Sequence, residues 1–202
     1  MVFAKAPQPG RVKTRLAPRL GEAGAARLHA RLVERAVRTA AAARLGRIEL
    51  HCAPRVRHPF FALLARRHGL RLRAQGAGDL GDRMLRAFTR VLREADSALL
   101  VGSDCPALRA ADLRAAARAL QRGADAVLAP AEDGGYALIG LRRARKQLFD
   151  GIAWGGPRVL EQTRARLRRL RWKWVELRTV WDVDRPEDVE RLARSGLLRR
   201  AP

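Results

Sequence analysis

Short apolar runs alternate with helical apolar stripes along nearly all of this 202-residue chain, and that alternation restricts the fold more than any other feature. Residues 1–4 form an apolar run. Leu28, Leu32, Val33, Ala36 and Val37 then recur at helical spacing, in a helix opened near Gly21. Residues 47–52 alternate like a strand, 59–68 read as a helix and 70–74 as a short strand. Residues 80–94 carry a helical stripe through Met84, Leu85, Phe88, Val91 and Leu92, and 97–101 resemble a buried strand. A helix over 110–121 leads into strand-like runs at 124–129 and 136–141. A helix over 158–170, a strand at 172–177 and a last helix from Pro186 complete the series. Strands that alternate with helices predict a mainly parallel sheet covered on both faces, an α/β/α sandwich in three layers and one domain over 1–202. The link before Tyr136 is too short for a helical crossover, so the sheet is expected to be mixed.

At 48% apolar residues, the chain can bury a core of its own. No run approaches the roughly 20 apolar residues of a membrane span, and no secretory leader is evident, so a soluble, cytoplasmic protein is expected. Cys52 and Cys105 form no CxxC pair, which suggests neither a disulfide framework nor a zinc site. The formal charge of +22 fits either an arginine-decorated surface or a polyanion partner such as nucleic acid. A single Tyr and the lack of an RNP-like aromatic pattern argue against a base-stacking platform.

In folds of this class, ligands bind beyond the carboxyl ends of the strands, and four segments expected there carry unusual chemistry. The first is residues 5–15. The first twenty residues hold Lys5, Arg11, Lys13, Arg15 and Arg19 and no carboxylate, on a loop broken by Pro7, Pro9 and Gly10. Such a loop offers backbone N–H groups and fixed positive charge to a polyphosphate, or is simply a basic surface loop. It matches neither a Walker loop nor GxGxxG. The second, QGAGDLGDRM from Gln75 to Met84, suits close approach to a base, and equally a plain turn and helix start. The third, VGSDCP, sets Asp104 at a strand end, suited to a hard divalent cation or to capping. In the fourth, VWDVDRPED, Asp182 and Asp184 alternate and share a face. Carboxylates so close repel unless a cation lies between them, and Mg²⁺ completed by Asp104 and phosphate oxygens would serve. Asp184 is also positioned to cap the last helix.

The ordered motifs FAKAPQPGRVKTRL, GDLGDRM, GSDCPAL, PAEDGGYALIGL and DVDRPEDVERL resemble a bacterial family of GT-A-like proteins labelled glycosyltransferase-like or DUF2064, itself similar to phospholactate guanylyltransferases. The resemblance implies a nucleotide-diphospho-sugar transferase (GT-A) fold that binds a nucleotide with Mg²⁺ or Mn²⁺. It implies nucleotide contacts from Ala4, Lys5, Ala6, Gly10, Arg11, Lys13 and Arg15, and base contacts from Gln75, Gly78 and Gly81. Asp104, Asp182 and Asp184 match the metal positions, with Lys13, Arg15 and Asp104 as the catalytic group. Glu132, Asp133, Gly134, Gly135 and Tyr136 match the stretch that faces a small acceptor. Three departures stand out: a short first strand that starts close to the loop, Arg185 in place of a small polar residue, and WGGP at 154–157 in place of Trp-Ser-Thr.

Two transfers suit such a site. In nucleotidyl transfer, an acceptor phosphate or carboxylate attacks the α-phosphorus of a nucleoside triphosphate. In glycosyl transfer, an acceptor hydroxyl attacks the anomeric carbon of a nucleotide sugar, with Glu132 or Asp133 as candidate base. The cationic opening loop favours the first.

Overall fold

A computed structural model of the chain describes residues 1–198, so the last four positions of the expected 1–202 span lie outside the described residues. The strands are β1 (Val2–Lys5), β2 (Glu49–Ala53), β3 (Arg71–Ala74), β4 (Ala98–Val101), β5 (Ala126–Pro130), β6 (Tyr136–Leu141) and β7 (Trp174–Glu176). The helices are α1 (Ala17–Ala43), α2 (Pro59–His68), α3 (Leu80–Val91), α4 (Ala110–Gln121), α5 (Lys146–Phe149), α6 (Val159–Arg169) and α7 (Pro186–Ser195). A 3₁₀ turn over Thr14–Leu16 precedes α1. The short α5 and this turn carry too few residues to show a period, and sequence reading passes over both.

The strands form one sheet in the order β3-β2-β1-β4-β6-β5-β7. Strand β6 runs antiparallel to both β4 and β5, and every other pairing is parallel. The mixed sheet follows from the link between β5 and β6, residues 131–135, which suffices for a reversal and not for a crossover. Strand β1, expected to be short, matches β3 and β4 in length and is flanked by β2 and β4.

Alternation along the strands builds the two faces. Val2, Ala4, Leu50, Cys52, Val101, Val127 and Ala129 meet Val33 and Val37 of α1, Phe61 and Leu64 of α2, and Leu113, Ala116 and Leu120 of α4. Phe3, Leu100, Ala126, Leu128, Ile139 and Leu141 meet Met84 and Phe88 of α3, Leu148 and Phe149 of α5, and Leu167 of α6. A smaller cluster of Leu16, Ala25, Leu32, Val183 and Leu192 locks α7 onto α1. Helix α1 is interrupted at Gly21 (φ 66°, ψ 160°), where the sequence predicts its start, so one extra turn precedes the regular helix. No described helix is long and apolar enough to cross a membrane.

Candidate functional site

The opening loop leaves β1 at Lys5 and is tied to the end of β2 by the Ala6 N–H, which donates to the Ala53 carbonyl at 2.7 Å. A turn at residues 8–11 then brings Lys13 round in a left-handed backbone conformation (φ 49°, ψ 41°), uncommon for a residue with a side chain. That turn sends the lysine inward. Its side chain is only 4% exposed, and Nζ lies 3.1 Å from Asp104 Oδ2 and 3.8 Å from Asp184 Oδ1. Two carboxylates and the cation between them hold the bend against its local strain.

Asp104 follows β4, and the acidic segment at 180–184 reaches it by backbone pairing. The Val180 N–H donates to the Pro130 carbonyl at 2.9 Å, and the Val183 N–H to the Asp104 carbonyl at 3.0 Å. Loops more than 70 residues apart thus meet beyond β1 and β4. Arg15 pairs with Asp184. Asp184 does not cap α7: the carboxylate of Asp188 accepts from the Asp184 N–H at 2.9 Å and the Arg185 N–H at 2.7 Å. Nor does Asp104 cap a helix, since α4 starts at Ala110 and the Arg109 N–H is taken by Asp112 at 2.8 Å.

Lys13 thereby separates two members of the expected metal set, and among the described residues no three His, Cys, Asp or Glu side chains are gathered to cage an ion. The ammonium relieves the repulsion between Asp104 and Asp184. Asp182 forms no ion pair among the described residues, and Lys13 relieves it only in part. Burial first, and then the negative charge of Asp133, raise its carboxyl to about 6. Asp104, Asp182 and Asp133 together also push up the Cys105 thiol, after burial. The site carries surplus negative charge on hard oxygen donors. This suits Mg²⁺ or Mn²⁺, which needs one or two carboxylates and completes its shell with phosphate oxygens and water.

His29 escapes sequence reading because it sits within the apolar stripe of α1, between Ala26 and Leu32. It is buried, with Nε2 3.0 Å from the Lys5 carbonyl, an acceptor that fixes Nε2 as the protonated nitrogen. Nδ1 makes no hydrogen bond and stands 3.8 Å from Asp104 Oδ1. Burial holds the imidazole below its ordinary range, although Asp104 pulls the other way. His29 ties α1 to the end of β1 through the Lys5 carbonyl.

Several expected contacts are used elsewhere. The Gln75 side chain is buried, and Nε2 donates to the Ala4 carbonyl at 3.1 Å and the His51 carbonyl at 2.9 Å, stitching the strand ends rather than reading a base. Gly81 packs under Trp154: a Cβ there would lie 2.7 Å from the indole nitrogen. Gly78 leaves room for Asp82, whose carboxylate completes a reciprocal cap with Asp79. These two glycines serve the turn and the packing of α3. Ala4 and Ala6 are buried, whereas Lys5, Gly10, Arg11 and Gly78 are exposed.

The expected acceptor stretch is also partly committed. Both Glu132 oxygens accept from Arg191, at 2.6 and 2.9 Å, and this pairing lowers the Glu132 carboxyl, the opposite of what a general base needs. Arg191 in turn lies over the Trp181 ring, 4.6 Å from its centroid. The Tyr136 hydroxyl is buried and faces no open acceptor space. Asp133 accepts from the Gly135 N–H at 2.9 Å, and Gly134 (φ 85°) passes so close to Pro157 that a Cβ would fall 1.9 Å from its carbonyl oxygen. That contact joins the stretch to the WGGP segment.

The chain belongs to the DUF2064 family, described as an uncharacterised protein conserved in bacteria, which it matches over residues 36–156. It is 34% identical to a solved protein of Desulfovibrio desulfuricans G20, whose name assigns it provisionally to the nucleotide-diphospho-sugar transferases. That likeness covers 96% of this chain and 85% of the other, with a TM-score of 0.87. The fold is shared with CMP:2-keto-3-deoxy-manno-octonic acid synthetase, solved with CTP (TM-score 0.59, 11% identity, 96% of this chain and 95% of the other). It is also shared with glucosyl-3-phosphoglycerate synthase of Mycobacterium tuberculosis, solved with Mn²⁺, UDP and glucosyl-3-phosphoglycerate (TM-score 0.55, 12% identity, 98% and 75%). No functionally curated protein matches the sequence. The sheet and its flanking helices are those of the nucleotide-diphospho-sugar transferases of GT-A type, and the solved proteins of this fold include nucleotidyl and glycosyl transferases.

Proposed function

We propose that this family member is a divalent-metal-dependent nucleotidyltransferase, acting on a nucleoside triphosphate and a small acceptor that carries a phosphate or carboxylate. The observation that carries this reading is the meeting of Lys13, Asp104, Asp182 and Asp184 from distant loops beyond β1 and β4, with carboxylate charge in excess. Nucleotidyl and glycosyl transferases of the same fold support the transferase class.

In this reading, Asp104 and Asp182 hold Mg²⁺ or Mn²⁺, which when bound would supply positive charge at the triphosphate. Lys13 keeps Asp104 in place, and Arg11, exposed on the opening loop, offsets the charge that develops on the leaving pyrophosphate. Arg15 fixes Asp184. His29, with its Nε2 proton donated to the Lys5 carbonyl, fixes the end of β1 from which the opening loop departs. The acceptor oxygen approaches from the side of Asp133 and Gly135 and attacks the α-phosphorus.

Glycosyl transfer remains the second reading, favoured by Asp182: a half-buried carboxyl raised to about 6 is suited to accept a proton from an acceptor hydroxyl. One assay separates the two. Purified protein is supplied with each nucleoside triphosphate or nucleotide sugar, with Mg²⁺ or Mn²⁺, together with phosphorylated and hydroxylic acceptors. Pyrophosphate release that is lost in Asp104→Asn is expected. Nucleoside diphosphate release from a nucleotide sugar would favour the second reading. If no nucleotide raises the melting temperature or turns over with either metal, both readings fail.

A further inference from the structure

The cations that the sequence offers to a polyphosphate are not the ones left free. Lys13 and Arg15 are held by Asp104 and Asp184, and Arg19 is held by Glu190 at 2.9 Å and the Pro186 carbonyl at 3.2 Å. Of the arginines on the opening loop, only Arg11 has no protein partner among the described residues. It lines a cavity of about 510 Å³ with Ala6, Gln8, Pro54, Arg55, Arg57 and His58. Arg55 and Arg57 are likewise exposed and form no hydrogen bond or ion pair among the described residues. No carboxylate lines the cavity.

The walls are built rather than incidental. One is the opening loop, held to the end of β2 through Ala6 and Ala53 and turned at residues 8–11. The other is the loop after β2, which ends at the start of α2, where His58 Nδ1 accepts from the Phe60 N–H at 3.3 Å. Arg11, Arg55 and Arg57 therefore line one space at the carboxyl ends of β1 and β2, beside the positive end of a helix. Like charges at close quarters repel, and an oligoanion is what such a space stabilises. The larger arginine-lined cavity along α1 differs. There Glu34 supplies a carboxylate to a cavity that Arg38 and Arg109 also line, Arg31 and Arg35 are spent on the carbonyls of Leu198, Pro106 and Leu197, and Arg67 on Glu34.

We infer that the cleft between the opening loop and the β2–α2 loop is a phosphate site, in which Arg11, Arg55 and Arg57 hold the phosphate of a phosphorylated ligand without a metal. Occupation of the cleft does not depend on the transfer reaction. Its assignment to the outer phosphates of a nucleotide donor or to the phosphate of an acceptor rests on the function proposed above.

The test is calorimetric titration in EDTA with inorganic tripolyphosphate, standing in for a donor tail, and with glycerol phosphate, standing in for an acceptor. Wild type is compared with Arg55→Ser/Arg57→Ser and with Arg118→Ser/Arg122→Ser, a control pair on the surface of α4 and its end. The cleft pair should lose about tenfold or more in affinity for one of the two probes, and the control pair less than about twofold. The probe affected identifies the source of the phosphate. Metal-free binding should persist in Asp104→Asn even if that variant shows no transfer activity, so a failed site and a failed reaction are told apart. Absence of metal-free binding by the wild type, or equal losses in the two arginine pairs with unchanged melting temperatures, would overturn the inference.

Discussion

The two ends of the sheet carry charged clusters of opposite design. At the amino end of β2, Glu49 is buried and satisfied: Arg90 grips both its oxygens, His51 Nε2 lies 3.1 Å from Oε2, and Arg73 stands 3.7 Å from Oε1. Beyond the carboxyl ends, Asp104 and Asp184 share Lys13, while Asp182 faces Asp133, forms no ion pair among the described residues and is offset by Lys13 only in part. The first cluster is closed and balanced. The second is open and keeps a carboxylate that no ion pair balances among the described residues. Charge that is buried and paired serves the fold, and charge left in surplus at strand ends is available for chemistry.

The pH dependence of the two clusters has opposite sign. Although burial opposes it, hydrogen bonding to Arg90 and His51 holds the Glu49 carboxyl at about 2. Its contribution is therefore present above its unfolded value near 4.5 and is lost as pH falls toward 2. Burial lowers His51 to about 4, so its neutral form favours the fold above 6.5, and that advantage disappears as pH falls through 4. Asp182 behaves in reverse. With a folded value of about 6 against an unfolded value near 3.8, it favours the fold at low pH and loses that advantage as pH rises through 6.

The largest effect that can break this contrast is Glu49→Ala, which leaves a buried imidazole and a guanidinium unpaired. It should cost roughly 2–4 kcal/mol and lower the melting temperature by several degrees, measured by calorimetry at pH 7. A change below about 0.5 kcal/mol would mean that the amino-end cluster is not structural. Next comes Gly134→Ala, which meets both a positive φ and the Pro157 carbonyl. A loss of at least about 2 kcal/mol is expected in urea unfolding, and a neutral result would show that the link to the WGGP segment is loose.

Asp182→Asn should move stability the other way, by on the order of 1 kcal/mol at pH 7.5 after allowance for its partial exposure. The gain should vanish near pH 4, where the wild-type carboxyl is already neutral. A loss of stability at pH 7.5 would show that the site is balanced as it stands. Smallest is Arg15→Ala, an exposed pair with Asp184, which should shift stability by less than about 0.5 kcal/mol. A larger cost would make that ion pair part of the scaffold.

Periodicity read from the sequence finds the main strands and helices, because burial on a sheet or a helix face leaves a period of its own. The short reversal before Tyr136 was legible as an interruption of the parallel pattern. Strand ends were less so: expected runs at 47–52 and 172–177 become Glu49–Ala53 and Trp174–Glu176, since pairing partners rather than local pattern set where a strand stops. The acidic motifs and the cationic loop were legible as concentrations of charge. His29 was not, for a histidine within an apolar stripe looks like core.

What the sequence determined by itself is the layered α/β arrangement, the mixed sheet and the loops on which Lys13, Asp104, Asp182 and Asp184 lie. The tertiary structure alone decided how those charges are shared. It paired Lys13 with Asp104 and Asp184, took Glu132 out of use through Arg191 and buried the amide of Gln75. It also left Arg11, Arg55 and Arg57 lining one cavity without a partner among the described residues. The reason is one of range. Periodicity is local along the chain, but the state of an ionised group depends on every charge and dipole within a few ångströms, and those come from segments far apart in sequence.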